Sequence, residues 1–378
     1  MNEKIIIVYI GDVEKCPPLL SLLNILKDLK KQTVLITVKF DNKYRKKLPR
    51  DLEVITICDE YNNNINRFRK LLRMWSIRKK IWSKLNSINE KRIFIISDIT
   101  LKHVGKKIIN EKYFLYFLEM PQNLYYFYKL RFIKLDEKKY CDNSVRVIVP
   151  EYNRAHILKA LWDLKEVPLV LPNKPYNKIR WQKNMVITHS KEAETLLKGE
   201  LKNKKIILYQ GIINDERPLT NYIDAIKMLD NEYAFVIMTN GENQFQNTKN
   251  VFYIPFISPP YHLEVTSHAY IGILSYKPTK GMYSPLNSIY CAPNKIYEYA
   301  NFSIPMLGND IPGIRNIFTQ YGIGEVLDIE DSYEIVKKIK MIEKNYQFYS
   351  NNSKKFYNSA NNYKIVKKIL EKNGERID

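Results

Sequence analysis

Much of the chemistry legible in this sequence lies between Ser284 and Ala300. If Pro293 opens a helix, Asn294, Lys295 and the first-turn N–H groups gather at the positive end of that helix, where a phosphate is well held. Glu298 falls one turn further along. A carboxylate there can accept two hydrogen bonds from the vicinal hydroxyls of a ribose, a geometry that a nucleotide offers and an inorganic anion does not. The same spacing equally suits an ordinary capped helix with Lys295 and Glu298 as a surface i, i+3 pair.

Two further residues have the type and place for catalysis. Glu119 follows the apolar run Tyr113 to Leu118, and a carboxylate at the C-terminal end of a strand in an α/β sheet is positioned for substrate binding or proton transfer. His103, after Asp98-Ile-Thr-Leu, is the second candidate. Either could instead be a satisfied polar residue in a loop. The five histidines show no metal-ligand spacing, and Asp328 and Asp331 lead into a helix at Ser332, where acids complement the macrodipole, so no metal is expected. The sequence has no dinucleotide-binding glycine fingerprint, Walker A loop, zinc-peptidase motif or nucleophile elbow. Dehydrogenases, nucleoside triphosphatases, metallopeptidases and α/β-hydrolases are correspondingly disfavoured.

The elements that would position these residues form two series. Lys4 to Ile10 is a continuous β-branched run of the kind buried on both faces of a parallel sheet, and Gly11 breaks it. A helical pattern over Leu19 to Leu29 and a strand over Thr33 to Phe40 complete a βαβ unit. Strand-like runs recur at Leu52 to Cys58, Arg92 to Ser97, Tyr113 to Leu118 and Val145 to Val149. After the loop Leu171-Pro-Asn-Lys-Pro-Tyr176 a second series begins, with runs at Met185 to Thr188, Lys205 to Tyr209, Ala234 to Met238, Val251 to Ile254 and Tyr270 to Leu274, and helical patterns such as Thr220 to Leu229 between them. The pattern predicts an α/β protein with two Rossmann-like domains facing across a cleft, residues 1–172 and 173–352, and a basic amphipathic helix in the tail 353–378.

With 378 residues, two domains are also what length predicts. The net charge of +21 is uneven: residues 1–180 carry 37 basic and 19 acidic groups, net +18, and the rest is net +3. Such an excess points to an anionic partner of the N-terminal half, nucleic acid or a membrane face. The helix expected over Asn64 to Leu85 sets Phe68, Leu71, Leu72, Trp75 and Trp82 on one side among many basic residues. Tyr125 to Lys134 repeats the aromatic and basic mixture, as an interfacial segment or a core helix with a solvated basic face would. Nine of the 12 glycines lie beyond residue 200, where backbone approaching a ligand would need them. Four scattered cysteines and the absence of a long apolar run argue for a reducing cytosol and against secretion or membrane insertion.

The segment from Pro293 to Tyr299 resembles the donor-binding motif of GT-B glycosyltransferases, especially family 4-like transferases of bacterial surface polysaccharide assembly. The resemblance extends loosely over the whole chain. Ile206 to Ile212 followed by Arg217 is similar to that family's strand and glycine loop, and Val236 to Gly241 and Val251 to Ile257 to its next two strands. By that resemblance Gly211, Arg217, Asn294 and Lys295 hold the donor diphosphate, Glu298 the ribose, and the turn Pro255, Phe256, Ile257 the base, while Gly11 belongs to the acceptor-facing loop. Of the family's usual pair of glutamates only the second, Glu298, is present. The resemblance implies a retaining, metal-independent transfer of a sugar from a nucleotide-sugar, UDP-linked, to a hydroxyl of a glycan, with no cofactor besides the donor itself. A polyprenyl-diphosphate-linked acceptor and a cytoplasmic protein docked on the anionic inner membrane face suit the basic half. A non-catalytic subunit or glycan-binding partner of the same fold, and a nucleotide-sugar epimerase, are the alternatives. A nucleic-acid partner would leave the nucleotide-sized motif in the other half unexplained.

Overall fold

A computed structural model describes residues 3–58, 66–120, 136–177, 179–241, 245, 248–279 and 284–371. They fall into two compact units, one within Met1–Pro172, Met282–Ser284 and Asn361–Asp378, the other within Asn173–Gly281 and Pro285–Ala360.

The first unit is a seven-stranded parallel sheet in the order β3-β2-β1-β4-β5-β6-β7. Its strands are β1 (Lys4–Tyr9), β2 (Thr33–Thr37), β3 (Glu53–Thr56), β4 (Lys91–Ile96), β5 (Tyr113–Tyr116), β6 (Arg146–Val149) and β7 (Leu169–Val170). In β1 Ile5 to Val8 are all buried, as a central parallel strand covered on both faces requires. β1 pairs β2 and β4 in register, Ile7 opposite Leu35 and Phe94.

The second unit is a six-stranded parallel sheet, β10-β9-β8-β11-β12-β13, formed by β8 (Lys205–Gln210), β9 (Tyr233–Thr239), β10 (Val251–Pro255), β11 (Ile271–Leu274), β12 (Met306–Asn309) and β13 (Gly324–Leu327). In both sheets the first strand of the series lies beside the second on one side and the fourth on the other. Chain direction away from the sheet reverses there, and the C-terminal strand ends at such a point form the usual ligand crevice. Two apolar clusters flank the second sheet: one gathers alternate residues such as Leu208, Val236 and Ile254, the other Ile207, Phe235 and Ile273.

The structure differs from the sequence reading in several places. Met185 to Thr188 is not a strand; it is an irregular segment pinned to the helix His262–Thr266, where Thr188 donates both its N–H and its hydroxyl to Glu264, and Met185 donates its N–H to Ser267 Oγ. β7, β12 and β13, only two to four residues long, carry too little sequence for a period of two to register. The single tail helix is two, Tyr346–Ser359 and Asn362–Glu371, broken at Ala360, which is extended. The second of these belongs to the first unit, where Leu370 O accepts a 2.6 Å bond from Arg92 Nη1 and Asn362 Nδ2 donates to Pro172 O.

The long basic helix spans Arg67–Asn86, N-capped by Asn66, whose side chain accepts from the Arg69 N–H. Its apolar residues do not share one environment. Ile77, Ile81, Trp82 and Leu85 are buried, and Trp82 Nε1 donates to Val104 O, while Phe68, Leu72 and Trp75 are exposed. Tyr125 to Lys134 lies outside the described residues. No helix among the described residues is long and apolar enough to cross a membrane.

Candidate functional site

The strongest constellation lies at the C-terminal edge of the second sheet, around the ends of β8 and β11. Gly211, directly after β8, has φ +131°, a conformation that side chains rarely adopt. A Cβ placed on it would sit 3.0 Å from Lys295 Cε and 3.1 Å from Nζ, so the missing side chain is what lets Lys295 lie against the loop. Lys295 comes from the helix Asn294–Asn301. Pro293 occupies the N-cap position of that helix in extended backbone rather than its first turn.

Packing fixes where this helix sits. Tyr299 is fully buried, its ring stacked over Gly272 of β11 so closely that a Cβ there would collide with it, and its hydroxyl donates to Leu208 O at 2.9 Å. With Ile296, Tyr299 and Ala300 facing the sheet, Asn294, Lys295 and Glu298 are carried to its C-terminal edge.

There the Lys295 ammonium lies 4.4 Å from the centroid of the Tyr209 ring and 5.4 Å from that of Tyr276. Arg217 is 5.2 Å from the centroid of the same Tyr276 ring, with Glu216 3.5 Å from its guanidinium. Lys295 Nζ has no solvent contact and no hydrogen-bond partner among the described residues. Burial, with the nearby Arg217 charge, lowers its pKa to about 7, against an opposing pull from Glu298. Aromatic faces attract a cation but do not satisfy its three N–H donors. The two cations share one ring; Glu216 accompanies Arg217 but no carboxylate among the described residues bonds Lys295, and a bound dianion would relieve both the repulsion and the unmet donors of the ammonium. The loops that carry them are tied together: Lys277 N donates to Glu216 O at 2.7 Å, Ser275 Oγ to Pro218 O at 2.8 Å, and Tyr276 N to Asn309 Oδ1 at 2.9 Å.

Glu298 is the other buried charge of this edge. One carboxylate oxygen accepts from Gln210 Nε2 at 2.6 Å and the other lies 3.2 Å from His262 Nε2. Gln210 is itself fixed by Thr266, whose hydroxyl donates to its Oε1 at 2.6 Å. Burial pushes the Glu298 pKa up, but His262, Gln210 and Lys295 together outweigh it and hold the group below the usual carboxylate range.

The structure therefore brings Gly211, Arg217, Lys295 and Glu298 to one edge. Pro255 ends β10 at the same edge of the sheet; Phe256 after it is exposed and Ile257 is buried. Tyr209, Tyr276, Gln210 and His262 are added by the structure. Tyr209, Gln210 and Tyr276 lie at or just beyond strand ends, and His262 opens a short helix, so residue type and spacing give them no signal.

In the first unit, Gly11 follows β1 with its own Tyr9 ring beneath it. Glu119 lies beyond the end of β5, about half exposed, with its carboxylate 3.7 Å from Arg154 Nη1. Arg154 is buried and also donates to Leu118 O at 2.9 Å. Cys16, beside Tyr9, has its buried thiol pKa raised to about 11 by burial first, with a smaller push from the Glu119 charge. His103 belongs to a different environment. It sits in the last turn of the helix Asp98–Val104, where Nδ1 donates to Ile99 O at 2.8 Å, its carbonyl accepts from Arg78 Nε, and burial lowers its pKa. No hydrogen bond or ion pair joins His103 to Glu119. Among the described residues no group of three or more His, Cys, Asp or Glu side chains could hold a metal ion.

Neither a protein-family model nor any curated protein matches the sequence. Solved structures do match. A glycosyltransferase from Rickettsia africae has a TM-score of 0.66 at 13% identity, covering 98% of this chain and 99% of its own. HepE from Anabaena, solved in complex with UDP and glucose, has a TM-score of 0.65 at 11% identity, covering 98% and 100%. The fold is that of the GT-B glycosyltransferases. The same GT-B frame is matched by UDP-GlcNAc 2-epimerase from Neisseria meningitidis bound to UDP-GlcNAc, with a TM-score of 0.62 at 14% identity, covering 98% and 100%. At these identities the likeness is one of fold, and function has to be argued from the site.

Proposed function

We propose that this protein is a glycosyltransferase that takes a sugar from a UDP-linked donor and places it on a hydroxyl of a glycan acceptor. The observation that carries the reading is the unpartnered Lys295 ammonium, buried against Gly211 and beside Arg217 at the edge of a Rossmann-like sheet. In this reading Lys295 and Arg217 bind the diphosphate and stabilise the charge that builds on it as the glycosidic bond breaks, so no metal is required for that role. Asn294 adds the first-turn end of its helix, Glu298 takes the ribose hydroxyls, and the turn Pro255, Phe256, Ile257 faces the base. That HepE was solved with UDP and UDP-glucose supports uracil as the base. Retention of configuration follows from the resemblance alone.

The first unit is assigned to the acceptor, with Gly11 and Glu119 at its strand edge and Glu119 preferred to His103 as the group that handles the acceptor proton. The exposed Phe68, Leu72 and Trp75 on the basic helix support docking on an anionic membrane face, as a polyprenyl-diphosphate-linked acceptor in surface polysaccharide assembly would need. Incubation with a panel of nucleotide-sugars, followed by thermal stability and by product analysis, tests the reading. Stabilisation by UDP and acceptor-dependent UDP release support it. Interconversion of two UDP-sugars without UDP release would identify an epimerase, and stabilisation without turnover a binding subunit. No response to any nucleotide would overturn it.

A further inference from the structure

Sequence spacing gives His262 no role, yet the structure joins it to the ribose end of the site. Its side chain is mostly buried on the helix His262–Thr266, which begins five residues after Ile257. Nε2 faces Glu298 Oε1 at 3.2 Å, and because Glu298 is held in its ionised, acceptor-only form, Nε2 must carry the proton. The opposite ring nitrogen, Nδ1, is buried and has no partner among the described residues. A buried polar atom left unmet is costly, and such atoms in native proteins call for a water, an ion or a ligand.

The geometry around Glu298 limits what that ligand is. Gln210 donates to one carboxylate oxygen and His262 lies within ion-pair distance of the other, which leaves the carboxylate able to accept from a ribose hydroxyl. Gln210 is locked in turn by Thr266, so the carboxylate is aimed before any ligand arrives. A hydroxyl donates as well as accepts, so it can bond Glu298 or Nδ1 whichever lone pair or proton Nδ1 presents.

We propose that His262 is both a positioning residue for Glu298 and a direct contact of the bound nucleotide, one ribose hydroxyl donating to Glu298 and its vicinal neighbour pairing with Nδ1. The proposal rests on the nucleotide reading above, and the experiment keeps the two separable. Dissociation constants for UDP and for its 2′-deoxy and 3′-deoxy analogues are measured for the wild type, His262→Gln, His262→Asn and Glu298→Ala. Glutamine retains a donor where Nε2 stands and removes Nδ1; asparagine does the converse. His262→Gln is expected to bind UDP about tenfold more weakly, the worth of one neutral hydrogen bond, and to stop distinguishing UDP from one deoxy analogue only. His262→Asn is expected to weaken discrimination against both analogues, because Glu298 loses its fixed aim. A readout that does not depend on any variant folding is the ¹⁵N resonance of His262 Nδ1, expected to move when UDP saturates the wild type. If UDP binds the wild type but that resonance stays still, or both variants lose UDP and its analogues in equal proportion, His262 is only structural and the inference falls while the nucleotide reading stands. If UDP does not bind the wild type at all, both fall.

Discussion

The two sheets have the same strand order around their crossover points, β1 beside β4 in one unit and β8 beside β11 in the other, yet their edges are finished differently. Beside β8 the buried groups left unmet include a cation, Lys295 Nζ, and an imidazole nitrogen, His262 Nδ1. Beside β1 the groups are mostly answered from within. The Ile10 N–H donates to Thr100 Oγ1 at 2.9 Å, Arg154 is shared between Leu118 O and Glu119, and among the described residues the unmet group there is a neutral hydroxyl, Thr37 Oγ1 at the end of β2, matched in the second sheet by Thr239 Oγ1 at the end of β9. An unmet buried charge costs far more than an unmet hydroxyl, so in the proposed reading the second edge takes the anionic donor and the first the neutral, hydroxyl-rich acceptor. That asymmetry is what a donor site and an acceptor site would be expected to show.

The largest effect should come from removing the charge itself. Lys295→Met is expected to weaken UDP binding on the order of a hundredfold, since a charge-assisted bond to phosphate is lost, while the unliganded protein melts no lower because a buried charge has gone. Calorimetric titration and thermal unfolding of the same sample read both. Arg154→Met should do the reverse, lowering stability by about 2 kcal/mol as Leu118 O loses its donor, with UDP affinity unchanged. If both variants behaved alike, the contrast between the edges would have no functional meaning.

Gly211→Ala comes next. It strains a position at φ +131° and drives a methyl to about 3 Å from the Lys295 ammonium, so a tenfold or greater loss of UDP affinity is expected with the fold intact. In the first unit Glu119→Gln should lower turnover with UDP affinity unchanged, and the same measurement on a His103→Gln protein should show little loss.

The proton inventory sharpens the donor half. Lys295 titrates near 7 in the free protein, and a bound diphosphate favours the ammonium, so its pKa must rise on binding. Well below pH 7 the amine is already charged and no proton is taken up; above it, binding takes up as much as one proton. Affinity therefore falls as pH rises from about 7 toward the pKa of the complex. Titrations at pH 8 in buffers of different ionisation enthalpy should reveal the uptake, and Lys295→Met should abolish it.

The frame was far more legible than the site. Continuous β-branched runs such as Lys4 to Ile10 announce central parallel strands because burial on both faces leaves no other composition, and most of the sheet follows from them. The edge around Lys295 was legible in part: the Pro-Asn-Lys helix start shows in residue type, while Gly211 after β8 is marked through the family resemblance. His262 and Tyr276 were not legible, because they converge only when β8, β11 and two helices meet, and nothing in the spacing along the chain marks that. Met185 to Thr188 misled because its apolar residues read as a strand, whereas Glu264 takes both the N–H and the hydroxyl of Thr188 and bends the segment onto a helix instead.

The smallest effect, and the one that tests the acceptor half from outside, concerns the exposed stripe of the helix Arg67–Asn86. At 3.6 residues per turn Phe68, Leu72, Trp75 and Lys79 fall along one line, so one stripe of the solvent face runs from exposed apolar residues at its N-terminal end to lysine at Lys79, with Lys80 and Lys84 also exposed, while Arg69 flanks the stripe in the first turn. Such a gradient suits a tilted approach to an anionic bilayer, with the N-terminal end entering the headgroup layer and each lysine contributing about 1 kcal/mol near the surface. Vesicles containing anionic lipid should bind the protein, and should blue-shift the Trp75 emission, isolated as the difference between wild type and Trp75→Phe. Replacing Phe68, Leu72 and Trp75 by serine should remove the salt-resistant part of binding and leave a weaker part that salt abolishes, because lysines alone act through a field that is screened within about 10 Å at 0.1 M salt. Binding equal to wild type in that triple variant would show that this face does not meet the membrane, and would leave the charge of the first unit to be explained by a soluble anionic acceptor.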